Sequence, residues 1–243
     1  MLLFYIRHGD PIYNPDSLTP LGHRQAEAVC KRLALFGIDD IYASTSERAK
    51  LTATPLCELL KKDMTTLDFA NEGHAWRDLT CYSRIRECHT WLFQAPEVKA
   101  VFNTPEVISL GHKWYEHPYF NTEEFAGKDY RSGIERIQRE SDLFLESLGY
   151  KRESDGRYKV ISDNDKRIAL FAHQGFGLAF LSAILGIPYP QFTTHFDMCT
   201  SGMTVIEFIN EGGYAYPKAL MLSSDAHIYK EGLPTRYNGR QPF

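Results

Sequence analysis

The 243-residue chain is long enough to bury a sizeable core, in one substantial α/β domain or two small ones. Its residues are 43% hydrophobic and 24% charged, as in ordinary globular proteins. A formal net charge of -4 gives no basic face for nucleic acid, although a few local arginines can still build a positive pocket for an anionic substrate. Residues 2–6 read as a short buried strand that runs straight into Arg7-His8-Gly9. "LTPLGHRQAEAVCKRLALFG" reads as a helix, with Thr19 as N-cap, Pro20 at the first helical position and Gly37 as the stop. Ala26, Val29, Leu33 and Phe36 recur within it at helical spacing. "IDDIYAS" is a second strand, and a second helix follows with Ser46 capping and Pro55 as an interior fault. "TTLDFA" is a third strand, and this β-α-β-α-β order predicts a parallel sheet.

From about 74 to 130 the rhythm is lost. Eleven aromatic residues from Trp76 to Tyr130, punctuated by Pro96, Pro105 and Pro118, read as an inserted cap that packs a small core of its own or leans towards a ring-bearing substrate. Residues 132–148 return to a helix with Ile134, Ile137, Leu145 and Leu148 facing inward. "KRIALFAHQG" is the clearest later strand, followed by the apolar helix "FGLAFLSAILG". "GMTVIEFI" and "YPKALMLSS" supply two more strands, and the tail from Ser223 reads as mostly irregular. No repeat or linker appears, so the expected organisation is a single α/β domain with one insertion.

Two strands end alike, each delivering a histidine, His8 or His173, just before a glycine. In open α/β sheets ligands bind at the carboxyl ends of strands, so the pair points to a shared site. The cysteines, Cys30, Cys57, Cys81, Cys88 and Cys199, are odd in number and carry no CxxC spacing. They suggest neither a disulfide framework nor a zinc site, and Cys88-His89 reads as a thiol beside a histidine, not as a metal site. The run Leu2 to Ile6 is too short for a signal peptide and no stretch approaches a spanning helix, so a cytoplasmic protein is expected.

On these residues the sequence resembles the histidine phosphatase (phosphoglycerate mutase-like) superfamily. Its Arg-His-Gly motif is matched by Arg7-His8-Gly9 and a following asparagine by Asn14. A Leu-Thr-x-x-Gly-x-x-Gln-Ala segment is matched by Leu18, Thr19, Gly22, Gln25 and Ala26. A Ser-x-x-x-Arg-Ala-x-x-Thr-Ala segment is matched by Ser44, Arg48, Ala49, Thr52 and Ala53, and the second histidine by His173 before Gly175. The likeness covers about the first 75 residues and about 167–210; the cap matches no family pattern.

The resemblance implies a three-layer sandwich with a mostly parallel central sheet flanked by helices. It also implies a small phosphorylated metabolite as partner, with no metal and no cofactor. Neither nucleic acid nor membrane is expected as a partner, and the oligomeric state, a homodimer included, is not legible. His8 would be the nucleophile and form a phosphohistidine. Arg7 and Arg48 would clamp the equatorial oxygens as planar, permanently charged donors, and His173 would donate a further hydrogen bond. Asn14, Thr19, Gly22 and Gln174 would contribute further contacts to the phosphate or substrate, although capping already accounts for Thr19. The family's general acid is a glutamate after the third strand, which assigns Glu72; Asp10, Glu97 or an acid of 121–129 are the substitutes. His227 is either a residue of the pocket mouth or a packing residue.

Three activities remain open at this level: a phosphatase, a phosphoglycerate mutase, and an idle member that binds a phosphorylated ligand or a protein. Mutases of the family grip the substrate carboxylate with adjacent arginines in the cap. Arg77, Arg84 and Arg86 do not form such a pair, which favours the phosphatase.

Overall fold

The computed structural model describes residues 1–242. Strand β1 (Leu2–Arg7) leads into a hairpin of β2 (Pro11–Tyr13) and β3 (Asp16–Leu18), then helix α1 (Pro20–Ala34). Strand β4 (Asp40–Ser44), helix α2 (Glu47–Leu60) and strand β5 (Met64–Leu67) follow in the expected order. The third strand is shorter than expected, because Asp68–Ala70 leave it as a 3₁₀ turn. Helix α2 continues through Pro55 to Leu60, and Ser46 makes no side-chain cap, its hydroxyl being turned elsewhere.

Next come α3 (Glu72–Asp78), a hairpin of β6 (Thr80–Ser83) and β7 (Cys88–Trp91), and the short helices α4 (Pro96–Phe102) and α5 (Pro105–Leu110). Three 3₁₀ segments between Gly111 and Phe125 lead to α6 (Tyr130–Ser147). Strands β8 (Tyr150–Arg152) and β9 (Tyr158–Val160) precede β10 (Arg167–Ala172) and helices α7 (Gln174–Leu185) and α8 (Tyr189–His195). Strands β11 (Met203–Glu207), β12 (Asn210–Glu211), β13 (Tyr214–Ala215) and β14 (Lys218–Ser224) come next, and α9 (Ala226–Lys230) gives the tail one turn of order.

The central sheet runs β14-β11-β1-β10-β4-β5. Strands β1, β10, β4 and β5 are parallel, while β11 runs antiparallel to both of its neighbours. Both faces are covered, which is why β1 and β10 read as unbroken apolar runs and not as alternating ones. Phe4, Ile6, Ala169 and Phe171 meet Val29 and Leu33 of α1 and Ala53 and Leu56 of α2 on one face. Leu3, Tyr5, Ile168 and Leu170 share the other core with Leu145 of α6 and Phe176 and Phe180 of α7. Each large side chain buried in this way contributes roughly 1.5–3 kcal/mol relative to exposure.

The aromatic segment does not pack a separate core. Phe102, Trp114, Phe120, Phe125 and Tyr130 belong to the same continuous cluster as α6, α7 and the sheet, with Trp114 and Phe120 edge to face at 4.9 Å. No helix among the described residues is long and apolar enough to cross a membrane.

Candidate active site

Because β1 and β10 are parallel neighbours, with Arg7 opposite Ala172, the residues that follow them emerge side by side at the carboxyl edge. The His8 and His173 rings lie 5.2 Å apart there, at 60° to each other. His8 lines a cavity of about 560 Å³, together with Arg7, Tyr13, Asp16, Ser46, Arg48, Asn71, Glu72, Gly73, Trp76, Trp91, Gln174 and Asn238.

The loop carrying His8 is fastened from behind by the motif residues. The Gly9 N–H donates to the Thr52 hydroxyl at 3.0 Å, and the Asp10 N–H to the Gln25 side-chain oxygen at 2.8 Å. Gly9 and Gly22 allow two backbones to touch: a Cβ on Gly22 would stand 2.2 Å from the Asp10 carbonyl oxygen. In front, the His8 Nδ1–H donates to the Gly9 carbonyl at 2.7 Å, which leaves the Nε2 lone pair free. That nitrogen has no hydrogen-bond partner among the described residues.

His173 is wired differently. Its Nε2 lies 2.8 Å from the Ser44 hydroxyl and 3.1 Å from that of Ser46, while the Arg48 guanidinium donates to its Nδ1 at 3.2 Å. Nδ1 therefore accepts and Nε2–H donates. To add a donor to an anion, His173 would have to exchange one of these bonds. Its backbone is held by Tyr5, whose hydroxyl donates to the His173 carbonyl at 2.6 Å.

Arg7 is fully buried and donates to the Met198 carbonyl at 2.6 Å and to the Asn238 side-chain oxygen. Arg48 pairs with Asp16 at 2.8 Å. The Nε of each arginine is buried without a partner among the described residues, which leaves donor capacity for a ligand with several acceptor oxygens. Both Glu72 oxygens accept backbone N–H groups from the first turn of α7, Gly175 and Phe176, each at 3.0 Å. A negative carboxylate suits that helix terminus. Gln174 bridges Asp197 and Asn238. Gly175 is required because a Cβ there would fall 2.3 Å from the Trp91 ring, which stands edge to face with Trp76 at 5.1 Å.

Arg7, His8, Arg48, Glu72 and Gln174 thus line the cavity, whereas His173 does not: it is fully buried, with its ring beside that of His8. The cavity does not gather Asn14, Thr19 or Gly22. Asn14 is exposed at the turn between β2 and β3, and the residues flanking that turn, Tyr13 and Asp16, line the cavity in its place. The Thr19 hydroxyl caps α1 and donates to the Asp10 carboxylate at 2.7 Å, and Gly22 serves the backbone contact. Among the substitute acids, Asp10 is bound to Thr19, and Glu97 accepts from Ser83 and the Arg84 N–H; neither lines the cavity. His227 is buried behind the site, not at its mouth. The sequence carried no sign of Asn238, whereas Trp76 and Trp91 stood out as aromatics of unassigned use. Ser44 and Ser46 were visible only as a motif element and a cap.

Burial and then the Arg7 and Arg48 charges hold the His8 imidazole well below its ordinary pKa. Burial, followed by His8 and the two arginines, does the same to His173. Both rings are neutral in the folded protein, whereas in the unfolded chain they take up protons near pH 6.5. Their contribution to stability is therefore present above about pH 6.5 and is lost as pH falls towards the folded values. The Tm is expected to fall between pH 7.5 and pH 5, and to fall less steeply for His173→Asn; equal slopes by calorimetry would contradict this.

Fold and site together define an α/β protein with a histidine and arginine pocket at the edge of its sheet. The model of the histidine phosphatase superfamily (branch 1) matches residues 3–111 of the chain. Three solved structures share the fold at low identity. Mycobacterial hydrolase 1 is 19% identical with a TM-score of 0.59, covering 92% of this chain and 98% of its own. Phosphoserine phosphatase from Entamoeba histolytica, in complex with 3-phosphoglyceric acid, is 18% identical with a TM-score of 0.56, covering 93% and 98%. The mycobacterial glucosyl-3-phosphoglycerate phosphatase with inorganic phosphate is 18% identical with a TM-score of 0.58, covering 93% and 98%. No curated protein sequence matches the chain.

Proposed function

We propose that the protein is a metal-independent phosphatase that hydrolyses a small phosphomonoester through a phosphohistidine on His8. The observation that carries this reading is an imidazole whose Nδ1–H is tied to Gly9, with Nε2 free in a cavity that also holds Arg7 and Arg48. Nε2 attacks phosphorus as the ester P–O bond breaks, and the leaving oxygen takes its proton from Glu72. Water then gives a proton to Glu72 and its oxygen to phosphorus, the N–P bond breaks, and inorganic phosphate and free His8 result. Arg7 and Arg48 carry the charge on the equatorial oxygens that a metal ion supplies in other phosphoryl-transfer sites. Burial raises the Glu72 carboxyl above its ordinary pKa, against the opposing pull of the Phe176 and Gly175 N–H groups, which favours the protonated form an acid needs.

The walls beyond the phosphate end carry Tyr13, Trp76 and Trp91, which supports a leaving group with a flat apolar face. The mutase reading loses support because none of Arg77, Arg84 and Arg86 lines this cavity, and the first two are engaged by Asp78 and Glu124. The test is hydrolysis of p-nitrophenyl phosphate and of small metabolite phosphates by the wild-type protein in excess EDTA. An alkaline quench should show phosphate on the peptide containing His8 by mass spectrometry. Turnover that needs a divalent ion, or phosphate trapped on a different residue, would overturn the reading.

A further inference from the structure

The chemistry proposed above uses the front of His8, whereas a second set of contacts governs its back. The turn 198–202 holds the backbones of both key residues of the first motif. The Ser201 N–H donates to the His8 carbonyl at 3.0 Å, and the Gly202 carbonyl accepts the Arg7 N–H at 3.1 Å. The Met198 carbonyl takes the Arg7 guanidinium at 2.6 Å. Any slip in this turn is therefore passed to the nucleophile and to the phosphate clamp together.

Ser201 occupies an unusual place in that turn. Its φ of +54° lies in the left-handed region, which residues with a Cβ seldom adopt without an outside hold. The outside hold is His227 on α9, whose Nε2 lies 3.0 Å from the Ser201 hydroxyl. The next residue cannot absorb a slip either, because a Cβ on Gly202 would meet Cys199 Sγ and Ser223 Oγ at 2.7 Å. His227 is 3% exposed and its Nδ1 is buried without a partner among the described residues. An imidazole that leaves one nitrogen unpaired in the interior is poorly explained by its own comfort. What it does achieve is to fix the Ser201 hydroxyl.

We infer that His227 is a positioning residue for catalysis: through Ser201 it sets the backbone, and so the attack geometry, of His8. The inference rests on the reading of His8 as nucleophile. It assigns His227 to the phosphorylation step and not to substrate binding, because His227 lies outside the cavity wall.

The pair His227→Gln and His227→Asn tests it, since both are polar and only the reach differs. The glutamine amide lies about where Nε2 does and keeps the bond to Ser201; the asparagine amide lies about where Nδ1 does and loses it. Expected for His227→Asn is a roughly 10-fold or greater drop in kcat and in the burst rate of phosphohistidine formation, with KM within about 2-fold, because small misplacements of reacting groups are costly. His227→Gln should keep most of the wild-type rate. In a Ser201→Gly background, which retains the N–H donor and suits the left-handed turn, the difference between Gln and Asn should vanish. Equal kcat for the two variants, or a difference that persists with Ser201→Gly, overturns the inference. A wild-type protein that never phosphorylates His8 overturns the underlying reading instead, so the two failures are separable.

Discussion

His8→Ala is expected to lower phosphomonoester turnover by on the order of 10⁴-fold or more and to abolish the phosphohistidine adduct. The loss is this large because the other groups of the site have no substitute to offer as nucleophile. His173 faces inward, with Nε2 on two serine hydroxyls and Nδ1 on Arg48. Arg7 and Arg48 remain, however, and with them the charge that binds the anion. The variant should therefore bind inorganic phosphate or vanadate at least as tightly as the wild type by calorimetry, while its kcat collapses. A variant that keeps its turnover, or that loses anion binding in proportion to kcat while remaining folded, would show that His8 is a binding group and not the nucleophile.

Glu72→Gln should show its effect through the leaving group. With an alkyl phosphate, whose departing oxygen needs a proton, kcat should fall by about 10²–10⁴-fold. With p-nitrophenyl phosphate the first step needs little help, so a burst of nitrophenol should persist while phosphohistidine accumulates, because water activation is still lost. An equal loss in kcat for the alkyl phosphate and in the nitrophenol burst would assign Glu72 to structure alone. That role is real: one amide oxygen cannot accept both N–H groups as the carboxylate does, and an unpaired buried donor costs about 1–3 kcal/mol. The pH dependence separates the roles further. Because the folded carboxyl is raised above its unfolded value, the stability it contributes is present at low pH and is lost as pH rises through the folded pKa. Glutamine removes that dependence together with the matching limb of the rate profile.

Much of this site is legible in the sequence because its chemistry is local to strand ends. Arg7 and His8 follow β1 directly, His173 follows β10, and Arg48 lies in the first turns of α2, so short motifs carry them. Gln25 and Thr52 belong to the same motifs because they fasten the Gly9 and Asp10 N–H groups. Asn14 matches the motif but does not line the cavity, because the hairpin turns it outward. Asn238 was invisible because its role depends on a contact with Arg7 across 231 residues, which no local pattern encodes. The aromatic segment gave up its composition but not its use, since most of its rings join the main core while Trp76 and Trp91 turn to the cavity.

Strand β1 is made early and completed late. Its two partners in the sheet are β10, which begins at Arg167, and β11, which ends at Glu207. While the ribosome is still adding the intervening residues, the apolar segment Leu2–Ile6 has no partner on either edge, and loop closure over such distances slows folding. The nascent chain must therefore keep its future central strand sheltered until β10 and β11 have been added. Arg7 waits longer still, because the side chain that takes the end of its guanidinium belongs to Asn238.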